Sequence, residues 1–193
     1  MPLGLYVRTD TAEDAVSSFE LAAEFFAQTE FDPRYWKWFV VALHAGFQGF
    51  FALALEGGNG LLVQKPGVTK AILSAWEANT PHPSPHMDNF LKLFKKVQSK
   101  ENLRGPSSVP FLSNQNYDQA FESLDQLRDD FIHFNTKSWS IEVCLIIERA
   151  AQCLEVADFL LAKSHSILWH EEATELRAHS AIQKLTHAIA LRG

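Results

Sequence analysis

Residues 38–55 of this chain have the sequence WFVVALHAGFQGFFALAL, eighteen residues without a formal charge. The stretch follows Asp32 and Pro33, a favoured helix N-cap joined to a proline that suits a first helical turn. Gly57 and Gly58 then supply a helix-ending signal. These features predict one long helix, whose length approaches that needed to cross a membrane. A lipid bilayer and a protein core are therefore the two environments to distinguish.

The pattern of polar residues on this helix favours a protein core. Lys37, His44 and Gln48 occupy positions i, i+7 and i+11, so they form a narrow polar stripe along one side. Gly46 and Gly49 allow a neighbouring helix to come close. The sequence therefore predicts the central helix of a helical bundle, and no membrane span.

Helical signals continue along the rest of the chain. Apolar residues recur at helical spacing in six further segments: residues 10–30, 68–79, 87–98, 117–133, 138–161 and 166–190. The chain has 193 residues, of which 47% are hydrophobic, a size that suits one well-buried core and is small for two. We expect an all-α, single-domain bundle over residues 1–193, with five or six main helices.

Two segments between these helices carry prolines. Residues 79–86 contain three alternate prolines, which predict a rigid, exposed loop. Residues 99–116 are polar and contain glycine and proline, and the Val109-Pro110-Phe111 piece predicts a loop that lies against the bundle. We expect no domain boundary in this second loop.

The charge balance limits how the chain can bind nucleic acid. Its formal charge is −6 and its pI is about 5.7, which argues against binding by bulk electrostatics. Any RNA contact is therefore expected to be local. Lys92, Lys95, Lys96 and Lys100 share one helical face, which is either a solvated amphipathic surface or a guide for nucleic acid.

The two cysteines, Cys144 and Cys153, fall in one predicted helix. Nine residues separate them, which places them about 13 Å apart along the axis and on roughly opposite faces, too far for a disulfide. No second pair and no Cys-x-x-Cys motif is present, and the first ten residues lack the basic and apolar regions of a secretion signal. We expect a reducing, cytoplasmic location.

Metal-binding and nucleotide-loop motifs are absent from the sequence. His165, His170, His179 and His187 lie near three glutamates, but no His-Glu-x-x-His or paired-cysteine pattern accompanies them. The chain also lacks a Gly-x-Ser-x-Gly nucleophile motif and a Gly-x-x-x-x-Gly-Lys phosphate loop. The sequence therefore predicts neither a metal nor a cofactor.

One stretch pairs an arginine with a histidine at the end of a predicted helix, Arg128-Asp129-Asp130-Phe131-Ile132-His133. This pattern resembles the hallmark of the HEPN superfamily of helical bundles, an arginine usually followed by a polar residue, with a histidine a few positions later. Family members often carry asparagine where this chain has Asp129. The resemblance implies a metal-independent ribonuclease that acts on RNA or nucleotides, or a non-catalytic relative. It also implies a homodimer that brings two Arg/His sets together in one cleft.

The resemblance assigns a role to each motif residue. His133 would act as general base or general acid on an RNA 2′-hydroxyl, because imidazole titrates near neutral pH. Arg128 would bind the phosphate, and Asp129 would hold the imidazole in one tautomer. In a regular helix Arg128 is displaced by about 140° from His133, so they converge only if the helix end distorts or a partner contributes.

Two other interpretations of the motif stay open. It is also typical of a solvated helix end, in which Arg128 and Asp129 form surface pairs and His133 caps the last carbonyl groups. A different class of function is a helical interaction module without catalysis, which binds a protein partner such as an antitoxin. The turn at residues 135–138 either caps the next helix or adds hydroxyl and amine donors to the same cleft.

Overall fold

The computed structural model describes residue 6 and residues 9–103, 105–133 and 138–193. Within these ranges the chain forms seven α-helices and contains no β-strand. The helices are α1 (Thr11–Gln28), α2 (Tyr35–Glu56), α3 (Pro66–Ala78), α4 (Phe90–Lys96), α5 (Gln115–Ile132), α6 (Val143–Ala162) and α7 (Glu172–Ala190). Single 3-10 turns at Leu61–Val63 and Lys100–Asn102 flank α3 and α4. The turn predicted at residues 135–138 lies mostly outside the described residues.

The all-α prediction is confirmed, while the helix count and several boundaries differ from expectation. Five or six main helices were expected, and the described residues contain seven because the short segments form α3 and α4. Helix α7 begins at Glu172 and not at residue 166. The Ser164 and Ser166 hydroxyl groups bond to each other at 2.7 Å, and Ser164 Oγ also donates to the Val109 carbonyl. Such local side-chain bonds compete with helix formation.

Helix α1 follows the sequence prediction closely. Asp10 caps it, since Asp10 Oδ1 accepts a hydrogen bond of 2.9 Å from the Glu13 N–H. The apolar residues that recur at helical spacing in this segment are buried: Val16, Phe19, Ala22, Ala23 and Phe26. Helix α2 starts later than predicted, at Tyr35, because Asp32 Oδ1 accepts from the Arg34 N–H and closes a turn instead.

Helix α2 is the centre of the hydrophobic core. Four of its phenylalanines are completely buried: Phe39, Phe47, Phe50 and Phe51. It is also the one described helix long and apolar enough to span a membrane by length and composition. Yet 72% of its most apolar window is buried inside the protein, which is the behaviour of a core helix.

Helices α1 and α2 approach each other closely at two glycines. A Cβ atom added to Gly49 would lie 2.5 Å from Ala15 Cβ, and one added to Gly46 would lie 2.9 Å from the Phe19 ring. Only a residue without a side chain fits at either position. The sequence prediction that these glycines admit a neighbouring helix is therefore confirmed.

The loop after α4 lies against the bundle, as predicted. The Val109 N–H donates to the Ser164 carbonyl at 2.8 Å, and Phe111 is buried against Phe159, with ring centroids 5.3 Å apart. The proline-bearing residues 79–86 are exposed, also as predicted. Their far end is fixed near the first 3-10 turn, because the Lys65 N–H donates to the His86 carbonyl at 3.0 Å.

Candidate functional site

Helix α5 carries the Arg/His motif on its last turns. Its first turn is capped by Asn114, whose Oδ1 accepts from the Asn116 N–H at 2.9 Å, and its buried Phe121 and Leu124 anchor it to the core. The helix ends at Ile132. His133 is the C-cap residue, and its N–H donates to the Asp129 carbonyl at 2.9 Å. The motif therefore lies where a helix fixed in the core reaches the surface.

The three predicted site residues meet at one carboxylate oxygen. Arg128 Nη1 lies 2.6 Å from Asp129 Oδ1, and His133 Nε2 lies 3.7 Å from the same oxygen. The His133 side chain is 62% exposed, whereas that of Arg128 is 29% exposed. Arg128 and His133 point to different sides of the helix, and Asp129 lies between their side chains. The helix end is not distorted to bring them together.

A fourth polar residue, His44 of α2, joins this cluster from the core side. His44 Nε2 lies 2.9 Å from Asp125 Oδ1 and 3.4 Å from Arg128 Nη2. The imidazole is stacked on Phe90 of α4, with ring centroids 3.9 Å apart, and only 3% of the residue is exposed. Arg128 is thus contacted by His44 on one side and by Asp129 on the other.

The environment of His44 favours its neutral form. Burial lowers the pKa of the imidazole, and this outweighs the opposing effect of the Asp125 hydrogen bond; the nearby charge of Arg128 lowers the pKa further. A carboxylate can only accept a hydrogen bond, so Nε2 carries the hydrogen in this neutral tautomer. Nδ1 is then left with a free lone pair.

A groove of about 960 Å³ adjoins the cluster. Its walls come from the first half of α1, from α2 and from the segment between Gly60 and Met87, and both His44 and Arg128 line it. Arg128 is the only lysine or arginine among its lining residues, all of which belong to the described chain. The groove gives small molecules a route to the buried edge of the cluster.

The sequence pattern does not assign His44 or Asp125 to the site. It identifies His44 only as one member of the polar stripe on α2, and His44 and Asp125 lie 81 positions apart. The available signal was the presence of one histidine in an otherwise apolar helix. A fully buried polar side chain needs a hydrogen-bond partner, but the sequence does not show which residue supplies it.

Three of the four lysines of the face predicted near α4 make polar contacts within the protein. Lys95 pairs with Asp118 at 2.8 Å. Lys96 pairs with Asp88 at 2.9 Å and also donates to two backbone carbonyls, and Lys100 donates to the carbonyls of the following loop. These contacts give three of the four lysines structural partners, and the Asp118 carboxylate offsets part of the charge of the exposed Lys95.

The other candidate residues do not assemble into a site. No group of three or more His, Cys, Asp or Glu residues in the described ranges is arranged to hold a metal ion. Cys144 and Cys153 are both free thiols, the first exposed and the second buried.

Comparisons with protein-family models, curated proteins and solved structures find no match to the chain. The fold and the site therefore define the class of protein: an all-α bundle with an Arg-Asp-His cluster beside a groove.

Proposed function

We propose that this chain is a HEPN-like protein that acts on RNA or nucleotides as a metal-independent endoribonuclease. One observation supports this most directly: Arg128 and His133 both approach Asp129 Oδ1, at 2.6 Å and 3.7 Å. An anion-binding group and a titratable imidazole are thereby held together at an exposed helix end. These are the two kinds of group that cleavage of RNA through its own 2′-hydroxyl requires.

Each residue has a defined part in this reaction. Arg128 binds a non-bridging phosphate oxygen and stabilises the negative charge that develops there during attack. His133, which is 62% exposed, transfers a proton to or from the substrate as general acid or general base. In this proposal Asp129 orients the imidazole once the 3.7 Å separation between His133 Nε2 and Asp129 Oδ1 shortens to a hydrogen bond in the substrate complex. None of these steps uses a metal ion.

A homodimer is part of the proposal, with the interface near the end of α5. Apolar side chains are exposed just beyond the motif, at Trp139, Val143 and Leu145. Trp139 also packs against Phe131 of α5, with ring centroids 4.8 Å apart. A second copy placed on this surface would bury the apolar groups and bring a second Arg/His set close to the first.

A second candidate function is a non-catalytic helical module that binds a protein partner, such as an antitoxin. It is supported by the charges around Arg128, since Asp125 Oδ1 lies 3.7 Å from its Nη2 and Asp129 contacts its Nη1. Two carboxylates facing one guanidinium group make the cluster a weaker attractor for phosphate. They favour instead a partner that presents basic groups.

A cytoplasmic location belongs to the same proposal. The structure contains two free thiols and no disulfide among its described residues. Free cysteines of this kind are typical of proteins that work in a reducing compartment.

The deciding experiment is cleavage of a mixed pool of structured and single-stranded RNA in excess EDTA. We expect the purified protein to cleave, and His133→Ala and Arg128→Ala each to lower the rate by about 100-fold or more. The matched control is His187→Ala, which removes an exposed histidine from α7, outside the site. All proteins are compared at equal helicity and equal oligomeric state.

The outcomes separate the two candidate functions. Cleavage by the wild type and by His187→Ala, but not by the two motif variants, supports the ribonuclease. Absence of cleavage by a correctly folded wild type refutes it and favours the interaction module. Cleavage that persists undiminished in His133→Ala would show that this imidazole has no catalytic part.

A further inference from the structure

The buried side of the motif contains a second imidazole that the Arg/His pattern does not include. His44 Nε2 lies 3.4 Å from Arg128 Nη2, while His133 reaches Arg128 through their shared neighbour Asp129. The guanidinium group thus has one imidazole on its core side and another on its exposed side. Cleavage of RNA through its 2′-hydroxyl needs two proton-transfer groups, one for the attacking oxygen and one for the leaving oxygen.

His44 is held in the state required of a proton acceptor. Its Nε2 hydrogen is donated to Asp125 Oδ1 at 2.9 Å, which fixes the ring and leaves the lone pair on Nδ1. No hydrogen bond to Nδ1 is found among the residues that the structure describes. A carboxylate that holds an imidazole in this tautomer is the arrangement by which an Asp-His pair prepares a general base.

The charged groups near His44 come from α5 and from the α1 side of the groove. Helix α5 supplies Asp125, Arg128 and Asp129, and α4 presents the uncharged ring of Phe90. Helix α1 brings Asp10 and Asp14 to the groove that His44 lines. Burial, together with the charge of Arg128, lowers the pKa of the imidazole against the opposing effect of Asp125 and Asp129, and so keeps it neutral near pH 7.

The groove supplies access to this imidazole. Its volume of about 960 Å³ falls within the range of small-molecule sites, and it contains both His44 and Arg128. The lining of α2 includes the half-buried Gln48 and the apolar residues Val41 and Ala45. A nucleoside, with its flat ring and neutral hydroxyl groups, matches such a lining, whereas the carboxylates of α1 disfavour a long polyanion.

We propose that His44 is a catalytic residue, the general base of the site. The groove receives the ribonucleoside, and His44 deprotonates the 2′-hydroxyl group of that ribonucleoside. This inference rests on the proposed ribonuclease function and assigns His133 the role of general acid. The proton of the 2′-hydroxyl passes to His44 Nδ1 as O2′ bonds to phosphorus. The bond from phosphorus to O5′ breaks, and O5′ takes a proton from protonated His133. The products are a 2′,3′-cyclic phosphate and a free 5′-hydroxyl group.

Two variants test this assignment by different routes. His44→Gln retains a side-chain donor for Asp125 but has no titratable base. Ala45→Trp places a large ring in the groove from an exposed position on α2 and leaves the polar cluster intact. The matched control is Ala71→Trp, an exposed alanine on α3 that does not line the groove.

The measurement is kcat and KM for a short oligoribonucleotide in EDTA between about pH 5 and pH 9. We expect His44→Gln to lower kcat by about 100-fold, with little change in KM, and to abolish the rise of kcat with pH on the acidic side. Ala45→Trp is expected to raise KM by about tenfold or more, and Ala71→Trp to change neither constant.

A merely structural role for His44 would give a different result. The melting temperature of His44→Gln would fall, but the acidic limb of its pH profile would keep the wild-type shape. If kcat and this limb are unchanged in His44→Gln while His133→Ala is inactive, the inference fails and the ribonuclease proposal stands. If the wild type does not cleave RNA, both fail together.

Discussion

His44 Nε2 of α2 lies 2.9 Å from Asp125 Oδ1 of α5, although 81 residues separate the two in sequence. His44 is almost fully buried, so this bond satisfies a polar group that would otherwise be costly to remove from water. It also connects the central helix of the core to the helix that carries Arg128. The polar stripe of α2 is thereby part of the candidate site.

Replacement of His44 by phenylalanine tests how this bond couples the fold to pH. Burial lowers the pKa of His44 in the folded protein below its ordinary value of 6.5. The unfolded chain therefore binds more protons in the window just below pH 6.5, and the stability of the wild type falls as the pH is lowered through it. His44→Phe cannot titrate, so we expect its stability to depend less on pH there.

Urea unfolding at several values between about pH 5 and pH 7.5 measures this difference, with His187→Phe as the exposed control. The control should follow the wild type. Parallel curves for the wild type and His44→Phe would contradict a lowered pKa for His44.

Because α1 and α2 are in close contact at Gly49, we expect the substitution Gly49→Ala to destabilise the fold. A methyl group at Gly49 would lie 2.5 Å from Ala15 Cβ, so the two helices must move apart. Overpacking of this kind costs about 1–3 kcal/mol, more than the helix propensity gained. We expect Gly49→Ala to lower the melting temperature by several degrees. Adding Ala15→Gly, which removes the opposing methyl group, should recover only part of the loss, because the new methyl group would still lie 3.0 Å from the backbone Cα at position 15 and glycine weakens α1.

Gly67→Ala is the matched control for this experiment. Gly67 lies in α3, and beyond its own helical turn no heavy atom comes within 4 Å of the position that its Cβ would take. The melting temperature of the Gly67→Ala variant should stay the same or rise slightly, because alanine favours a helix more than glycine does. A melting temperature for Gly49→Ala equal to that of Gly67→Ala would show that the two helices separate without cost.

Arg177 joins α7 to α1 and predicts a salt-sensitive contribution to stability. It contacts Glu13 Oε2 at 2.7 Å and Glu20 Oε2 at 2.6 Å. These hydrogen bonds, chiefly those to Glu20, raise the pKa of Arg177, and Arg177 in turn lowers the pKa of Glu20. The group is 40% exposed, so we expect Arg177→Ala to cost only about 1 kcal/mol at low salt.

The pH dependence of this effect has a definite sign. Because the pKa of Glu20 is lowered on folding, the stabilisation is present above its ordinary value of 4.5 and is lost as the pH falls through the folded value. Lys184→Ala is the control, since it removes an exposed cation from the same helix as Arg177. If Arg177→Ala lowers the free energy of unfolding by the same amount at every salt concentration and pH, the loss comes from packing and not from charge.

The two cysteines offer a direct probe of unfolding. Cys153 is completely buried, and burial raises the pKa of its thiol, whereas Cys144 is exposed. We expect one thiol to react quickly with a disulfide reagent in the native protein and the second to react only on unfolding. Cys144→Ser should abolish the fast phase. Two fast equivalents in the wild type would show that α6 opens readily.

Much of the fold was predictable because its signals are local. The Asp10 cap, the helical spacing of the apolar residues in α1 and the glycines of α2 each report on neighbours within a few turns or on one close contact. That Arg128, Asp129 and His133 lie near one another follows from their place at one helix end, but the contact of both Arg128 and His133 with Asp129 Oδ1 in an undistorted helix was not predicted.

The remaining features depend on contacts between distant parts of the chain. The start of α7 is delayed by hydrogen bonds between Ser164 and Val109, which no local pattern indicates. Lys96 appeared as part of a surface face, yet it pairs with the buried Asp88. His44 and Asp125 belong to the same category, because a partner 81 residues away is decided by packing and not by spacing.

At position 129 this chain has aspartate where the HEPN pattern often has asparagine. We expect the substitution Asp129→Asn to strengthen the binding of RNA. The Asp129 carboxylate lies 2.6 Å from Arg128 Nη1 and offsets part of the charge available to phosphate. Asp129→Asn keeps the size of the side chain and removes that charge. We expect binding of a 2′-O-methyl oligoribonucleotide, which lacks the attacking hydroxyl, to tighten by about three- to tenfold at low salt.

Fluorescence anisotropy measures this affinity, and Asp158→Asn is the control because it removes the same charge from an exposed position on α6. Equal tightening in both variants would mean that only the net charge matters. Tightening confined to Asp129→Asn, and abolished by adding Arg128→Ala, would show that the carboxylate competes with phosphate for this one guanidinium group. A gain that disappears as salt is raised is expected, since the Asp129 side chain is 45% exposed and its field is readily screened.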